Sequence, residues 1–268
     1  LICLFVTQGC SKSTSECPGT TCEGGDQGPN VPDMGADTLS GPIDGGLSRS
    51  DMMGPNREVR VGFSVDMLDY VPTSRDMPRT LPVYFWYPTQ DAEGMPANYP
   101  LFGFQENILE GPTSALGQNT PILIFSHGRR GIGAYSYFLA EFFAQKGWIV
   151  AAVDHVGDRF TDFETPPDIY SLRPQDISAL LDFIYALPSD HPLGDKAGET
   201  VVMSGHSFGG YTTLALAGAR FDVERFETLC AESPDDNICL NYAMDEESLR
   251  AGFHDERIDV AIPLAPGN

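Results

Sequence analysis

Thr200-Val201-Val202-Met203-Ser204-Gly205-His206-Ser207-Phe208-Gly209-Gly210-Tyr211-Thr212-Thr213-Leu214-Ala215-Leu216-Ala217 carries the strongest structural signal in the chain. Its first five residues, of which Thr200 to Met203 are β-branched or apolar, read as a buried strand. Residues 211–217 read as the start of a helix, and Gly205-His206-Ser207-Phe208-Gly209 between them matches G-x-S-x-G. Strand, sharp turn and helix in that order are what a nucleophile elbow requires. Such a turn strains the serine backbone, and its flanking glycines are needed because a side chain there would strike the neighbouring strand or helix. The hydroxyl then projects at a helix N-terminus, where the peptide dipoles favour developing negative charge. Ser207 is therefore the candidate nucleophile, the plainer alternative being a glycine-rich turn with a capping serine.

Val59–Val65, Leu81–Tyr87, Ile122–Phe125, Trp148–Val153, Thr200–Ser204 and Ile258–Leu264 read as strands. Helical periodicity appears in Tyr135–Lys146, Gln175–Leu187 and Phe208–Ala219. Near-continuous apolar strands alternating with helices predict an α/β fold, with a mostly parallel sheet covered by helices on both faces. Acyl transfer also needs preorganised donors for an oxyanion. One is expected from the Phe208 backbone N–H. The other is expected from the loop after an earlier strand, His127-Gly128-Arg129-Arg130, with the Arg129 N–H assigned and Arg130 as runner-up. His127 reads as a structural histidine tying that loop down. His155 is expected to line the pocket or pair with Asp154, and His191 and His206 to be structural or on the surface, His206 behind the sheet.

Ser126-His127-Gly128, then Trp148-Ile149-Val150-Ala151-Ala152-Val153-Asp154-His155, then Gly205-His206-Ser207-Phe208-Gly209-Gly210 resemble one branch of the α/β-hydrolases. That branch holds the platelet-activating-factor acetylhydrolases and bacterial proteins described as predicted dienelactone hydrolases. Leu81-Pro82-Val83-Tyr84-Phe85-Trp86-Tyr87-Pro88-Thr89 is similar to its second strand. The resemblance covers about residues 58–268. It implies a serine carboxylic-ester hydrolase, often acting on short acyl groups of lipids, with no metal and no cofactor. Dienelactone hydrolases proper carry Cys at the elbow, so Ser207 favours ordinary esters.

In this fold the triad runs Ser, then acid, then His. His254 is the only histidine after Ser207, and it precedes the strand Ile258–Leu264. That places it at the opposite sheet edge from the elbow, about 20 Å away for a strand of six residues, beyond hydrogen-bond reach. It is kept only as a weak alternative for the base. Where the acetylhydrolases carry their acid, this chain reads Leu264-Ala265-Pro266-Gly267-Asn268. The expectation is an α/β-hydrolase domain incomplete at its C-terminus, with acid and base beyond Asn268.

The chain has 268 residues, with 16 Lys+Arg against 38 Asp+Glu and a net charge of −22. Nucleic acid is excluded as a partner, since phosphate binding needs clustered cations; a small-molecule or lipid ester is expected instead. No apolar run reaches the ~20 residues of a membrane span. Leu1-Ile2-Cys3-Leu4-Phe5-Val6-Thr7-Gln8-Gly9-Cys10 reads as the end of a signal peptide with a lipoprotein processing site, Cys10 being lipidated. The alternatives are an ordinary secretory peptide and a buried strand. Export to the bacterial outer membrane, periplasm or cell surface, or secretion, follows, with membrane attachment through the lipidated N-terminus. Residues 11–57 carry nine Gly and five Pro and read as a disordered tether, in which Cys17 and Cys22 could pair. Cys230 and Cys239 bracket a polar insertion and are expected to form a disulfide. The competing function is a catalytically dead hydrolase fold that serves as an exported binding module.

Overall fold

The structure is a computed structural model that describes residues 59–234, Cys239 and residues 246–266. The expected leader (1–10), its lipidated Cys10, the tether (11–57) and the Cys17–Cys22 pairing lie outside the described residues. The elements run β1 (Arg60–Tyr70), β2 (Arg79–Thr89), β3 (Pro96–Tyr99), β4 (Gly103–Glu110), β5 (Thr120–Ser126), α1 (Tyr137–Ala144) and β6 (Ile149–Val153). They continue α2 (Ile169–Tyr185), β7 (Ala197–His206), α3 (Phe208–Leu216), α4 (Val223–Glu232), α5 (Glu246–Ala251) and β8 (Val260–Leu264).

Among the described residues, eight strands form one sheet in the order β3-β4-β1-β2-β6-β5-β7-β8. The half from β6 to β8 is parallel throughout, while β2 runs antiparallel to both β1 and β6. The period-2 alternation of strand side chains sorts β2 onto two cores. Leu81, Val83, Phe85 and Tyr87 pack with Ile177, Leu180, Leu181 and Ile184 of α2 on one face. Tyr84 and Trp86 pack with Ala140 and Ala144 of α1 on the other. The expected mostly parallel sheet with helices on both faces is what the chain forms. No helix among the described residues is long and apolar enough to cross a membrane.

All six expected strands are present. Two further ones, β3 and β4, form an antiparallel pair at the β1 side of the sheet. At the other end β8 is the edge strand, and Val260, Ile262 and Leu264 along it are exposed.

The start of α2 differs from expectation, beginning at Ile169 rather than Gln175 and passing through Pro174. Proline lacks the N–H that would bond the carbonyl four residues earlier. That carbonyl belongs to Tyr170, and it accepts the Tyr211 hydroxyl of α3 at 3.0 Å instead. Burial of Ile169 and Leu172 against Phe208 holds the extra turn in place. The turn also carries Arg173, and thereby brings a guanidinium under the elbow.

The expected disulfide joins Cys230 of α4 to Cys239, nine residues on. Of α4 itself only Val223 is buried, so the crosslink supplements a thin apolar contact.

Candidate active site

Ser207 stands between the end of β7 and the start of α3 with φ 54° and ψ −115°, in the left-handed region that non-glycine residues rarely enter. Its backbone N–H donates to the Leu264 carbonyl of β8 at 2.9 Å, tying the turn to the next strand. The glycines around it leave no room for a methyl group. A Cβ on Gly205 would stand 2.3 Å from the Gly209 carbonyl oxygen, and one on Gly209 would stand 1.9 Å from the Ser126 carbonyl oxygen. The elbow is thus wedged against the end of β5.

The loop after β5 meets this turn directly. A Cβ on Gly128 would lie 3.5 Å from the Ser207 Cβ and 3.4 Å from the His206 carbonyl oxygen. Phe208 opens α3, so its N–H is one of the four at a helix start that lack an intrahelical acceptor. In the facing loop the Arg130 N–H donates to Asp158 Oδ1 at 3.3 Å. The Arg129 N–H has no acceptor among the described residues. Of the two candidates for the second donor, Arg129 is the one left available.

Under the loop lies a fully buried polar network. Arg173 donates to Asp158 Oδ2 at 2.6 Å, Ser126 Oγ at 3.0 Å, Thr212 Oγ1 at 3.2 Å and the His127 carbonyl oxygen. Its guanidinium also lies 4.6 Å from the Phe208 ring centroid. His155 Nε2 meets Ser126 Oγ at 2.9 Å, and its Nδ1 meets Asp176 Oδ2 at 2.9 Å. Asp176 further accepts two hydrogen bonds from Arg79 and one from the Tyr70 hydroxyl. Ser126, His155 and Asp176 therefore repeat the bonding pattern of a catalytic triad. All three are sealed from solvent, so the array braces the loop and offers no nucleophile to a substrate.

Protonation states follow from this burial. Desolvation, reinforced by the Arg173 guanidinium, pushes His127 and His155 well below the ordinary imidazole range. Neutral His127 is tied twice, its Nδ1 to the Gly128 carbonyl oxygen at 2.7 Å and its Nε2 accepting the His155 N–H at 3.1 Å. Burial raises the Asp158 and Asp176 carboxyls against their arginine partners. It pushes Arg173 down to about 10, still charged at neutral pH.

His127 is the loop tie that its position suggested. His155, expected to line the pocket or pair with Asp154, is instead fully buried and pairs with Asp176 and Ser126, while Asp154 accepts the Gly133 N–H at 2.8 Å and the Tyr84 hydroxyl at 3.1 Å. His206 is exposed and turns toward the loop rather than behind the sheet, its Nδ1 3.5 Å from where a Gly128 Cβ would stand. His191 bonds Asp66 at 3.3 Å. His254 bonds the Leu216 carbonyl oxygen at the far end of α3. Helix α3, nine residues and about 13 Å long, lies between that carbonyl and Ser207. None of the five histidines is hydrogen-bonded to Ser207.

Sequence reasoning missed Arg173 and Asp176. The signal was present as two charged residues at i and i+3 inside the apolar face formed by Leu172, Ile177 and Leu180.

No family model matches the chain, and no curated protein matches it in sequence. Among solved structures, a ferulic acid esterase from Streptomyces cinnamoneus superposes with a TM-score of 0.51 at 20% identity, over 79% of this chain and 61% of that one. An acetyl xylan esterase from Paenibacillus sp. R4 gives 0.32 at 19% identity, covering 59% of this chain and 49% of that one. The chain spans about three fifths of the length of the Streptomyces esterase, at 61%. Together with the strand order and the elbow, the first of these likenesses shows that the chain has an α/β-hydrolase fold.

Proposed function

We propose that the protein is a serine carboxylic-ester hydrolase. The observation that carries the reading is Ser207, held at φ 54° on the β7–α3 turn with Gly128 of the facing loop against it. In this reading Ser207 Oγ attacks the ester carbonyl carbon and its proton passes through a base to the leaving alkoxide. The Phe208 and Arg129 N–H groups receive the oxyanion. Collapse of the tetrahedral intermediate breaks the ester C–O bond and leaves an acyl-enzyme. Water then attacks the acyl group, releasing the acid and restoring the serine. The substrate class is a short-acyl ester, lipid esters included, as the resemblance to the platelet-activating-factor acetylhydrolase branch implies.

The test is turnover of p-nitrophenyl esters, from acetyl to octanoyl, by the protein expressed from its complete gene. Ser207→Ala is expected to abolish it, and turnover that survives the substitution overturns the assignment. The second reading, an exported binding module, is favoured by one observation: none of the five histidines is bonded to Ser207. A protein that binds esters unchanged and never turns them over would establish it.

The N-terminal reading stands on sequence alone. Cys10 is proposed as a lipidation site that anchors the exported protein to a bacterial membrane, tested by radiolabelled palmitate incorporation and its loss in Cys10→Ala.

A further inference from the structure

The two backbone groups assigned to the oxyanion lie on different elements, so something must fix one relative to the other. Phe208 belongs to α3 and Arg129 to the loop after β5. Arg173 touches both sides: its guanidinium faces the Phe208 ring and donates to the His127 carbonyl, two residues before Arg129. On the other side of Arg129, the Arg130 N–H is held by Asp158, the ion-pair partner of Arg173. The Arg129 peptide is therefore bracketed by two hydrogen bonds that converge on one buried ion pair. Arg130 itself sits at φ 54°, a backbone state that needs such an anchor.

Buried ion pairs contribute little to stability on balance, because desolvation offsets their attraction. A guanidinium presents a rigid planar fork, which suits holding several acceptors in fixed positions. Resting on the hydrolase reading above, we propose that the Arg173–Asp158 pair is the positioning device of the oxyanion site, setting the Arg129 N–H against the Phe208 N–H. Arg173 does not touch substrate. It acts through the backbone of the two donors.

The experiment compares a p-nitrophenyl ester with its thiono analogue in the full-length protein. Sulfur in place of the carbonyl oxygen is a poorer, longer acceptor, so preference for the oxo ester reports how well the two donors are aligned. In Arg173→Lys, kcat on the oxo ester is expected to fall about tenfold or more while KM stays within about twofold. The thiono rate is expected to fall less, narrowing the preference. Phe208→Leu keeps the backbone N–H and the buried ion pair but removes the ring, and should narrow the preference in the same direction by less. It also provides the reading if the lysine variant does not fold. Equal losses on both esters, leaving the preference unchanged in the folded variants, overturn the inference and leave the hydrolase reading intact. Absence of Ser207-dependent turnover in the unsubstituted protein overturns both.

Discussion

Gly209 at the start of α3 is pressed so closely onto Ser126 at the end of β5 that a Cβ built on it would stand 1.9 Å from the Ser126 carbonyl oxygen. The obstacle is backbone, which cannot rotate aside as a side chain would. Gly209→Ala is expected to cost about 3 kcal/mol or more, because the helix has to move off the strand to accommodate one methyl group. Chemical denaturation of the variant measures this. A cost below about 1 kcal/mol would show that α3 is not seated on β5 in this way.

Ser207 itself stores strain. Its φ of 54° and ψ of −115° suit glycine far better than serine. Ser207→Gly is expected to be more stable than Ser207→Ala by about 1 kcal/mol, the relief exceeding the greater backbone freedom of glycine in the unfolded chain. Both variants lose turnover, so stability and activity separate at one position. Equal thermal midpoints for the two would contradict the strained geometry.

The buried histidine His155 gives a pH signature. It is neutral when folded, with its pKa held well below the ordinary value. The unfolded chain takes up a proton near pH 6.5 that the folded chain refuses, so the stabilisation is complete above that pH and is lost as pH falls toward the folded value. Asp158 and Asp176, whose pKa values burial raises, act in the opposite sense. A comparison with His155→Asn largely cancels them, since both carboxyls are present in each protein. The stability advantage of the unsubstituted protein over His155→Asn is expected to shrink by up to about 1.4 kcal/mol per pH unit below pH 6.5. Urea unfolding at stepped pH reads it, and an advantage that stays constant or grows toward pH 5 contradicts a neutral buried His155.

The Cys230–Cys239 link closes a nine-residue separation against a helix with little buried surface. Reduction, or paired Cys→Ser substitution, is expected to cost that segment about 2–3 kcal/mol by the chain-entropy account. Limited proteolysis should then cut within residues 220–250 well before it cuts the sheet. Unchanged cleavage rates after reduction would show that α4 is held by packing alone.

The central strands and the elbow were legible in sequence because each β strand there is a dense apolar run and the G-x-S-x-G turn admits few alternatives. The pair β3 and β4 was not. In Gly103–Glu110 only Ile108 and Leu109 are buried, so the segment shows no apolar period for a strand reading to detect. The first turn of α2 was hidden by Pro174, which reads as a helix start or break unless a tertiary partner takes over the orphaned Tyr170 carbonyl. With that turn hidden, Arg173 could not be placed on a helix face, and the network beneath the oxyanion loop stayed out of sight. From sequence His155 reads as lining the pocket or pairing with its chain neighbour Asp154. The true partner, Asp176, comes from α2, 21 residues later and across the fold.

The most direct test of the account is the site of covalent capture. The full-length protein is treated with a fluorophosphonate, digested, and the adduct located by mass spectrometry. The account predicts a single adduct on Ser207, absent from Ser207→Ala. No adduct, or one that persists after that substitution, would contradict the assignment of Ser207 as the nucleophile of an ester hydrolase.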